Sequence, residues 1–357
     1  MWRKSLSESC IPEIVKTASI IPIHKGKGSS KINAKNYRPI ALTSHLIKVF
    51  EKVVRKHIVQ FMECNNLFNP SQHGFRIGRS CLSQLLSHYE LILQLMEDGH
   101  DVDVIYLDFA KAFDKVDFTV ILEKLHSIGV RGNLGRWIHA FITGRTQSVH
   151  VNVARSQPAS VKSGVPQGSV LGPLLFLILI GDIERDVASA FLSSFADDTR
   201  MGRIVDTEAD ANDFQADLNA VYRWTIENNM ELHGDKFEHL HYSCRQRQYT
   251  DIPAYTSSSG SIITEKPSVE KDLGVIMSNN GTFKKHIEEV VREARSQAAW
   301  ALRTFSTRDI IPMTTLFKVL AQYKLDYCSQ LWSPTAKGEI NALEMVQRSF
   351  LRKIKNV

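Results

Sequence analysis

The sequence predicts an α+β fold: an antiparallel sheet of the split β-α-β type, a basic N-terminal region and a helical C-terminal segment. Three observations support this class. Between residues 102 and 243, extended and amphipathic stretches follow the order strand, helix, hairpin, helix, strand, which builds an antiparallel sheet with helices on one face. From Phe283 onward the apolar pattern is helical, with Ile287, Val290, Val291, Ala294, Ala298, Ala301, Leu302 and Phe305 on one stripe. Charge is also partitioned: residues 1–80 carry 14 Lys/Arg against 4 Asp/Glu, residues 281–357 carry 13 against 7, and the middle carries 17 against 27. Basic ends around an acidic centre suit surfaces that hold a polyanion and a site that holds cations. Ordinary solvated faces are the plain alternative.

Taken in order, residues 20–40 read as an apolar strand, a basic Gly/Ser loop and a short extended run into Pro39. The Gly-Lys-Gly-Ser element of that loop lacks the spacing of a P-loop. A helix is expected from Ser44, with Leu46, Val49, Phe50, Val53, Val54, Ile58 and Phe61 on its apolar stripe and His57 as a core histidine. A second helix covers 82–96 and stops at Gly99. "DVDVIYLDF" alternates and is rich in β-branched residues, so a strand ends at Asp108. A helix over 120–128 closed by Gly129, a strand over 147–153, then a Gly/Pro-rich turn and an apolar helix follow. Residues 190–205 form a hairpin whose tip carries Asp197 and Asp198. The helix over 208–227 buries Ala211, Phe214, Leu218, Val221 and Tyr222. A strand near 236–243, a Ser/Thr/Pro loop over 250–268, a short strand "LGVIM" and three C-terminal helical segments (from Phe283, near 313–328 and near 339–354) complete the chain.

A chain of 357 residues implies two or three subdomains. Cys10, Cys64, Cys81, Cys244 and Cys328 are scattered and form no C-x-x-C pair, which argues against a zinc knuckle or disulfide framework and for a reduced, intracellular setting. "MWRKSLSESC" has no apolar core of a secretory signal. The longest apolar run, 170–180, contains Gly172 and Pro173 and is too short to span a bilayer, so no membrane partner is expected. The end at "KIKNV", without a cap, reads as a cut.

The chemistry concentrates at "LSSFADDTRMG", 192–202, where Asp197 and Asp198 follow an apolar strand. Adjacent buried carboxylates repel, and burial of an unpaired charge is costly. Carboxylates converging from different strand ends offer hard oxygen ligands suited to Mg²⁺, and a metal pair serves phosphoryl transfer. A solvated hairpin turn is the bland reading, since Asp is common in turns.

The acids are not isolated. D-x-x-x-A-F-D stands at 108–114, S-G-V-P-Q-G-S at 163–169 and F-A-D-D at 195–198. "NYRPIALTS" (36–44) and "SQHGFRIGRS" (71–80) precede them, and "DKFEHL" (235–240) and "DLGV" (272–275) follow. Seven blocks in this order resemble the reverse transcriptase of non-LTR retrotransposons, most nearly the jockey-like and chicken-repeat-like elements, from about Ile20 to the end.

The resemblance implies a right-hand polymerase: fingers over 1–101, a palm over 102–280 with an interleaved fingers segment at about 119–160, and a helical thumb over 281–357. It implies that Asp108 and Asp197 bind two Mg²⁺ ions, Mn²⁺ being the alternative, with Asp198 in support. Phe113 matches the steric gate against a 2′-hydroxyl. Gln167 and Gly168 match the loop at the nucleotide and template base, and Lys236 matches a lysine that assists departure of pyrophosphate. Arg38 and Lys48 match basic residues at the triphosphate, and Leu273, Gly274 and Val275 match the primer grip; Arg76 and Arg79 are candidates for contact with template phosphate, solvated charge being the plain alternative. His233 and Gly234 stand where the family usually has Asn and Pro, and Phe237 where Thr or Cys is usual. The implied partners are an RNA template, a DNA primer, deoxynucleotides and the RNA–DNA duplex, with an endonuclease upstream on a longer polyprotein and a site of action in nucleus and cytoplasm. Two alternatives are an inactive nucleic-acid-binding relic of the fold and an RNA-dependent RNA polymerase. The latter usually has an acid where Phe113 stands.

Overall fold

The computed structural model describes residues 2–26, 30–243, 254–258, 260–265 and 268–354. Residues 27–29 of the basic Gly/Ser stretch, Cys244, parts of the 250–268 stretch and residues 355–357 lie outside the described residues. The central sheet has five strands in the order Thr264–Glu265, Glu238–Tyr242, Val102–Leu107, Asp198–Ile204 and Phe191–Phe195. Neighbours are antiparallel except Thr264–Glu265, which runs parallel to Glu238–Tyr242. The middle strand alternates between two cores. Val102 and Val104 pack with helix Cys81–Glu97 and the C-terminal helices, while Ile105 and Leu107 pack with helices Phe118–Ser127, Gly172–Ile180 and Glu208–Glu227. Helices therefore cover both faces, not one, because the strand is apolar on both and each face must be removed from water.

A second sheet joins distant segments. Its order is Tyr37–Leu42, Thr17–His24, Thr146–Val151 and Ala154–Arg155, with Ala159–Ser160 also on Thr146–Val151. Residues 17–20 pair parallel with 146–149, a junction the local pattern does not reveal. The helix Gly132–Ile142 was also not anticipated, although Trp137, Ile138, Phe141 and Ile142 are buried at helical spacing.

The helix His45–Cys64 forms as expected, with a shifted buried face. Ile47, Phe50, Glu51, Val54, Ile58, Val59 and Met62 are buried, whereas Leu46, Val49, Val53 and Phe61 are exposed, and so is His57. Phe50, Val54 and Ile58 of the expected stripe are buried, but the inner face is completed by Ile47, Glu51, Val59 and Met62 in place of Leu46, Val49, Val53 and Phe61. "LGVIM" is a strand only from Val275: Leu273 (φ +43°) and Gly274 (φ +90°) form the turn between strands Val269–Asp272 and Val275–Ser278. Helix Lys284–Thr304 packs against Lys337–Leu351, and the middle segment is broken into Ile310–Phe317, a π-helical turn Lys318–Gln322 and Tyr323–Asp326. Among the described residues no helix is long and apolar enough to cross a membrane.

Candidate active site

The register of the central sheet brings the acids to one end. Leu107 lies opposite Thr199, so Asp108 leaves the middle strand beside the hairpin turn. Phe195 pairs with Asp198, which leaves Ala196 and Asp197 as a two-residue turn and makes Asp198 the first residue of the return strand. Ala196 has φ +57°, a left-handed conformation that disfavours any side chain. The pKa of Asp197 is raised, first by burial and then by the charges of Asp198 and Asp108. That of Asp198 is raised by burial and by Asp108, against Arg200 and Arg38. The charges of Asp108 and Asp198 thus reach Asp197, and that of Asp108 reaches Asp198.

Asp108 also accepts a hydrogen bond from Lys236 Nζ at 2.7 Å. Among the described residues, no three His, Cys, Asp or Glu side chains gather closely enough to cage one ion. Mg²⁺ does not require such a cage: it is commonly held by one or two carboxylates, waters and substrate phosphates. An all-carboxylate set in which each charge disfavours the next fits a divalent cation.

The loop after residue 162 is stitched to the segment that follows Asp108. Val165 N–H donates to Phe113 O (2.8 Å), Gly164 N–H to Val116 O (2.8 Å) and Ser163 Oγ to Asp114 O (3.0 Å). Gln167 Nε2 donates to Asp114 Oδ1 (2.8 Å), so the amide is held by the last acid of the D-x-x-x-A-F-D block. On its other side the loop meets the strand that carries Arg38: Ala41 N–H donates to Gln167 O (2.8 Å). A Cβ on Gly168 would stand 2.7 Å from Ala41 O, and its φ is +113°, so glycine is required there. Phe113 is half-buried, stacked on Phe176 at 4.7 Å and edge-on to Phe75 at 6.3 Å. Packing from two sides fixes the ring.

Comparison with known proteins now decides the family. The family model described as reverse transcriptase (RNA-dependent DNA polymerase) matches residues 23–292. The chain belongs to the reverse transcriptase family. It is 28% identical over 349 residues to a probable RNA-directed DNA polymerase from transposon X-element of Drosophila melanogaster, covering 95% of the chain and 37% of that protein. It is likewise 28% identical over 354 residues to the RNA-directed DNA polymerase from mobile element jockey of Drosophila funebris, at 96% and 38%. The chain thus spans under two-fifths of the length of those relatives. Apo telomerase from Candida tropicalis shares its fold with a TM-score of 0.52 at 11% identity, covering 99% of this chain and 65% of that one.

Around the acids, the fold places the remaining expected residues unevenly. Arg38 is exposed, and its charge reaches both Asp197 and Asp198. Lys48 is on helix His45–Cys64 near Glu51, whose buried carboxylate accepts N–H groups of Val170 (2.6 Å) and Leu171 (2.9 Å) at the start of helix Gly172–Ile180. Glu51 was missed because a lone acid on an apolar stripe looks like an exposed neighbour. The departures near Lys236 are absorbed locally. Phe237 is buried and stacked on Tyr222, and a Cβ on Gly234 would stand 2.7 Å from Ser257 Cβ. Arg76 is turned inward: it pairs with Glu63 at 3.1 Å and lies over the Phe68 ring, whereas Arg79 stays exposed and contacts His73. The turn Leu273–Gly274 is held by Tyr327, whose hydroxyl donates to Leu273 O at 2.8 Å.

Acid should loosen the packing around three buried histidines. His73 is held down to about 4 by burial and by Arg79, Arg76 and Arg200. His286 is held down to about 4 by burial and Lys271, and His88 is lowered by burial and Arg200. A histidine with a depressed folded-state pKa contributes stability above its ordinary value near 6.5, and loses that contribution as pH falls towards about 4. The urea midpoint should be nearly level from pH 7 to 8 and fall through this window. Because the raised carboxyls of Asp197, Asp198 and Asp272 act in the opposite direction, the check is His73→Gln with His286→Gln, which should flatten the fall; an unaltered fall would contradict the assignment of neutral, buried imidazoles.

Proposed function

We propose that the chain is the RNA-directed DNA polymerase region of a non-LTR retrotransposon, extending a DNA primer on an RNA template with deoxynucleotides. The observation that carries this reading is the meeting of Asp108, Asp197 and Asp198 at one end of the central sheet, next to a loop pinned on the Phe113 segment. In a right-hand assignment, residues 1–101 with 119–160 are the fingers, 102–280 the palm and 281–357 the thumb. The sheet shared by residues 17–42 and 146–160 supports grouping the two fingers segments. The basic charge of both chain ends supports a duplex held through its phosphates, so binding should weaken steeply with salt.

When bound, a pair of Mg²⁺ ions, or Mn²⁺ in their place, supplies activation of the primer hydroxyl and neutralisation of phosphate charge. Asp108 and Asp197 would hold the ions, with Asp198 beside them. The primer 3′-hydroxyl gives up its proton to solvent as its oxygen bonds to the α-phosphorus and the bond to pyrophosphate breaks. Lys236, whose hydrogen bond to Asp108 supports a role at this end of the sheet, gives a proton to the leaving pyrophosphate in this reading. Arg38 and Lys48 orient the triphosphate, Gln167 and Gly168 support the new base pair, and Leu273, Gly274 and Val275 steady the primer end. The RNA template, the RNA–DNA duplex and an endonuclease on a longer polyprotein complete the setting, with synthesis in the nucleus reached from the cytoplasm.

Primer extension on an RNA template with Mg²⁺ tests the reading: absence of extension by the parent chain defeats it. The same assay tests the gate. Phe113→Val should raise incorporation of ribonucleotides relative to deoxynucleotides by about tenfold or more, because the ring that meets a 2′-hydroxyl is gone. An unchanged ratio would remove that role from Phe113.

A further inference from the structure

The catalytic turn has a clamp that lies more than a hundred residues away in sequence. Segment 71–74 runs along the outer edge of strand Phe191–Phe195: His73 N–H donates to Ser194 O (2.9 Å) and Ser194 N–H donates to Ser71 O (3.1 Å). From this edge the Gln72 side chain, 4% exposed, reaches Ala196. Gln72 Oε1 accepts from Ala196 N–H (2.8 Å) and from Gly74 N–H (2.7 Å), and Nε2 donates to Ala196 O (3.2 Å). Both main-chain groups of the left-handed residue before Asp197 are thus held by one amide. Gly74 lies against the same residue so closely that a Cβ there would be 2.3 Å from Ala196 N.

We infer that Gln72 is a positioning residue of the polymerase reaction, fixing Ala196 in its left-handed conformation and thereby aiming Asp197. The inference rests on the reading of this site as a polymerase centre. A turn with φ +57° at an alanine is unfavourable on its own. The clamp offsets that cost with hydrogen bonds that a neutral amide makes in both directions at once. An aliphatic residue of the same length makes none of them.

The test has two arms on the full chain. In the first, amide hydrogen exchange at Ala196 is measured in protein without added metal. Gln72→Met should speed it by about tenfold or more, since the acceptor of that N–H is lost. Parent-like protection in the variant overturns the inference, whatever the enzyme does. The second arm is primer extension. Gln72→Met should lower kcat by roughly 10–100-fold with little change in the deoxynucleotide KM, as expected for a misplaced catalytic group. Adding Ala196→Gly should recover roughly 5–30-fold of that loss, because glycine adopts the left-handed conformation freely. A loss that Ala196→Gly does not relieve means that Gln72 is merely structural and overturns the inference. If Gln72→Met does not fold, Gln72→Glu, which keeps the two acceptor bonds and loses the donor, should show intermediate exchange and kcat, and parental values for both would overturn it. If the parent itself does not extend primers, the polymerase reading fails while the exchange arm still judges the clamp.

Discussion

Asp197→Asn should abolish primer extension and, in the absence of metal, raise the melting temperature. The two effects share one cause. Asp197 is at the turn between two strands with its pKa raised by burial and by the charges of Asp198 and Asp108. An acid whose pKa is raised on folding favours the folded state only below its ordinary pKa, and that contribution is lost as pH rises through the raised value. At pH 7 the ionised carboxylate therefore opposes folding, and a neutral amide of the same shape relieves the opposition. A rise on the order of 2 °C is expected for a domain of this size. Activity moves the other way: removal of one member of a catalytic unit should cost about 10³-fold or more in kcat. Millimolar Mg²⁺ should raise the melting temperature of the parent, by preferential binding to the folded state, and of Asp197→Asn much less. Parental extension by Asp197→Asn, or a lower metal-free melting temperature, would contradict this account of the acids.

What was legible in the sequence followed from local rules. The strand before Asp108, the hairpin at 190–205, the helix 208–227 and the fully buried helix after the Gly/Pro turn could be read from periodicity and turn residues, because each buries a face set by its own pattern. The acids could be read because blocks in fixed order accompany them. What escaped depends on contacts between distant segments. The parallel pairing of residues 17–20 with 146–149 has no local signature. Gln72 and Glu51 act by hydrogen-bonding the main chain of Ala196 and of Val170 and Leu171, and a main chain carries no sequence mark to show that it is being held. The stripe of helix His45–Cys64 was misplaced in part: Glu51 is inside because of what it caps, which periodicity cannot see. The turn at Leu273–Gly274 was mistaken for strand because its apolar flanks continue the pattern on either side.

The largest stability effect should come from Arg200, two residues beyond Asp198. Its guanidinium pairs with Asp272, the residue just before the Leu273–Gly274 turn, and the two side chains are only 2% and 3% exposed. The pair therefore ties the strand that begins with Asp198 to the hairpin that carries the Leu273–Gly274 turn. Asp272 still has a raised pKa, because burial outweighs the attraction of Arg200. That imbalance indicates a bond of position more than of net stability, since desolvation of a buried pair can consume its Coulombic gain. Arg200→Met should then cost about 3–5 kcal/mol at pH 7, because an unpaired carboxylate is left inside. The cost should shrink as pH falls, since protonation neutralises Asp272. Arg200→Met with Asp272→Leu should be closer to the parent than the single variant, although the hairpin loses its directional tie. Urea unfolding of the parent, both single variants and the double variant, at pH 7 and pH 5, measures each term. A single-variant cost within about 1 kcal/mol of zero at pH 7, or one that grows on acidification, would show that Asp272 is not a buried charge held by Arg200.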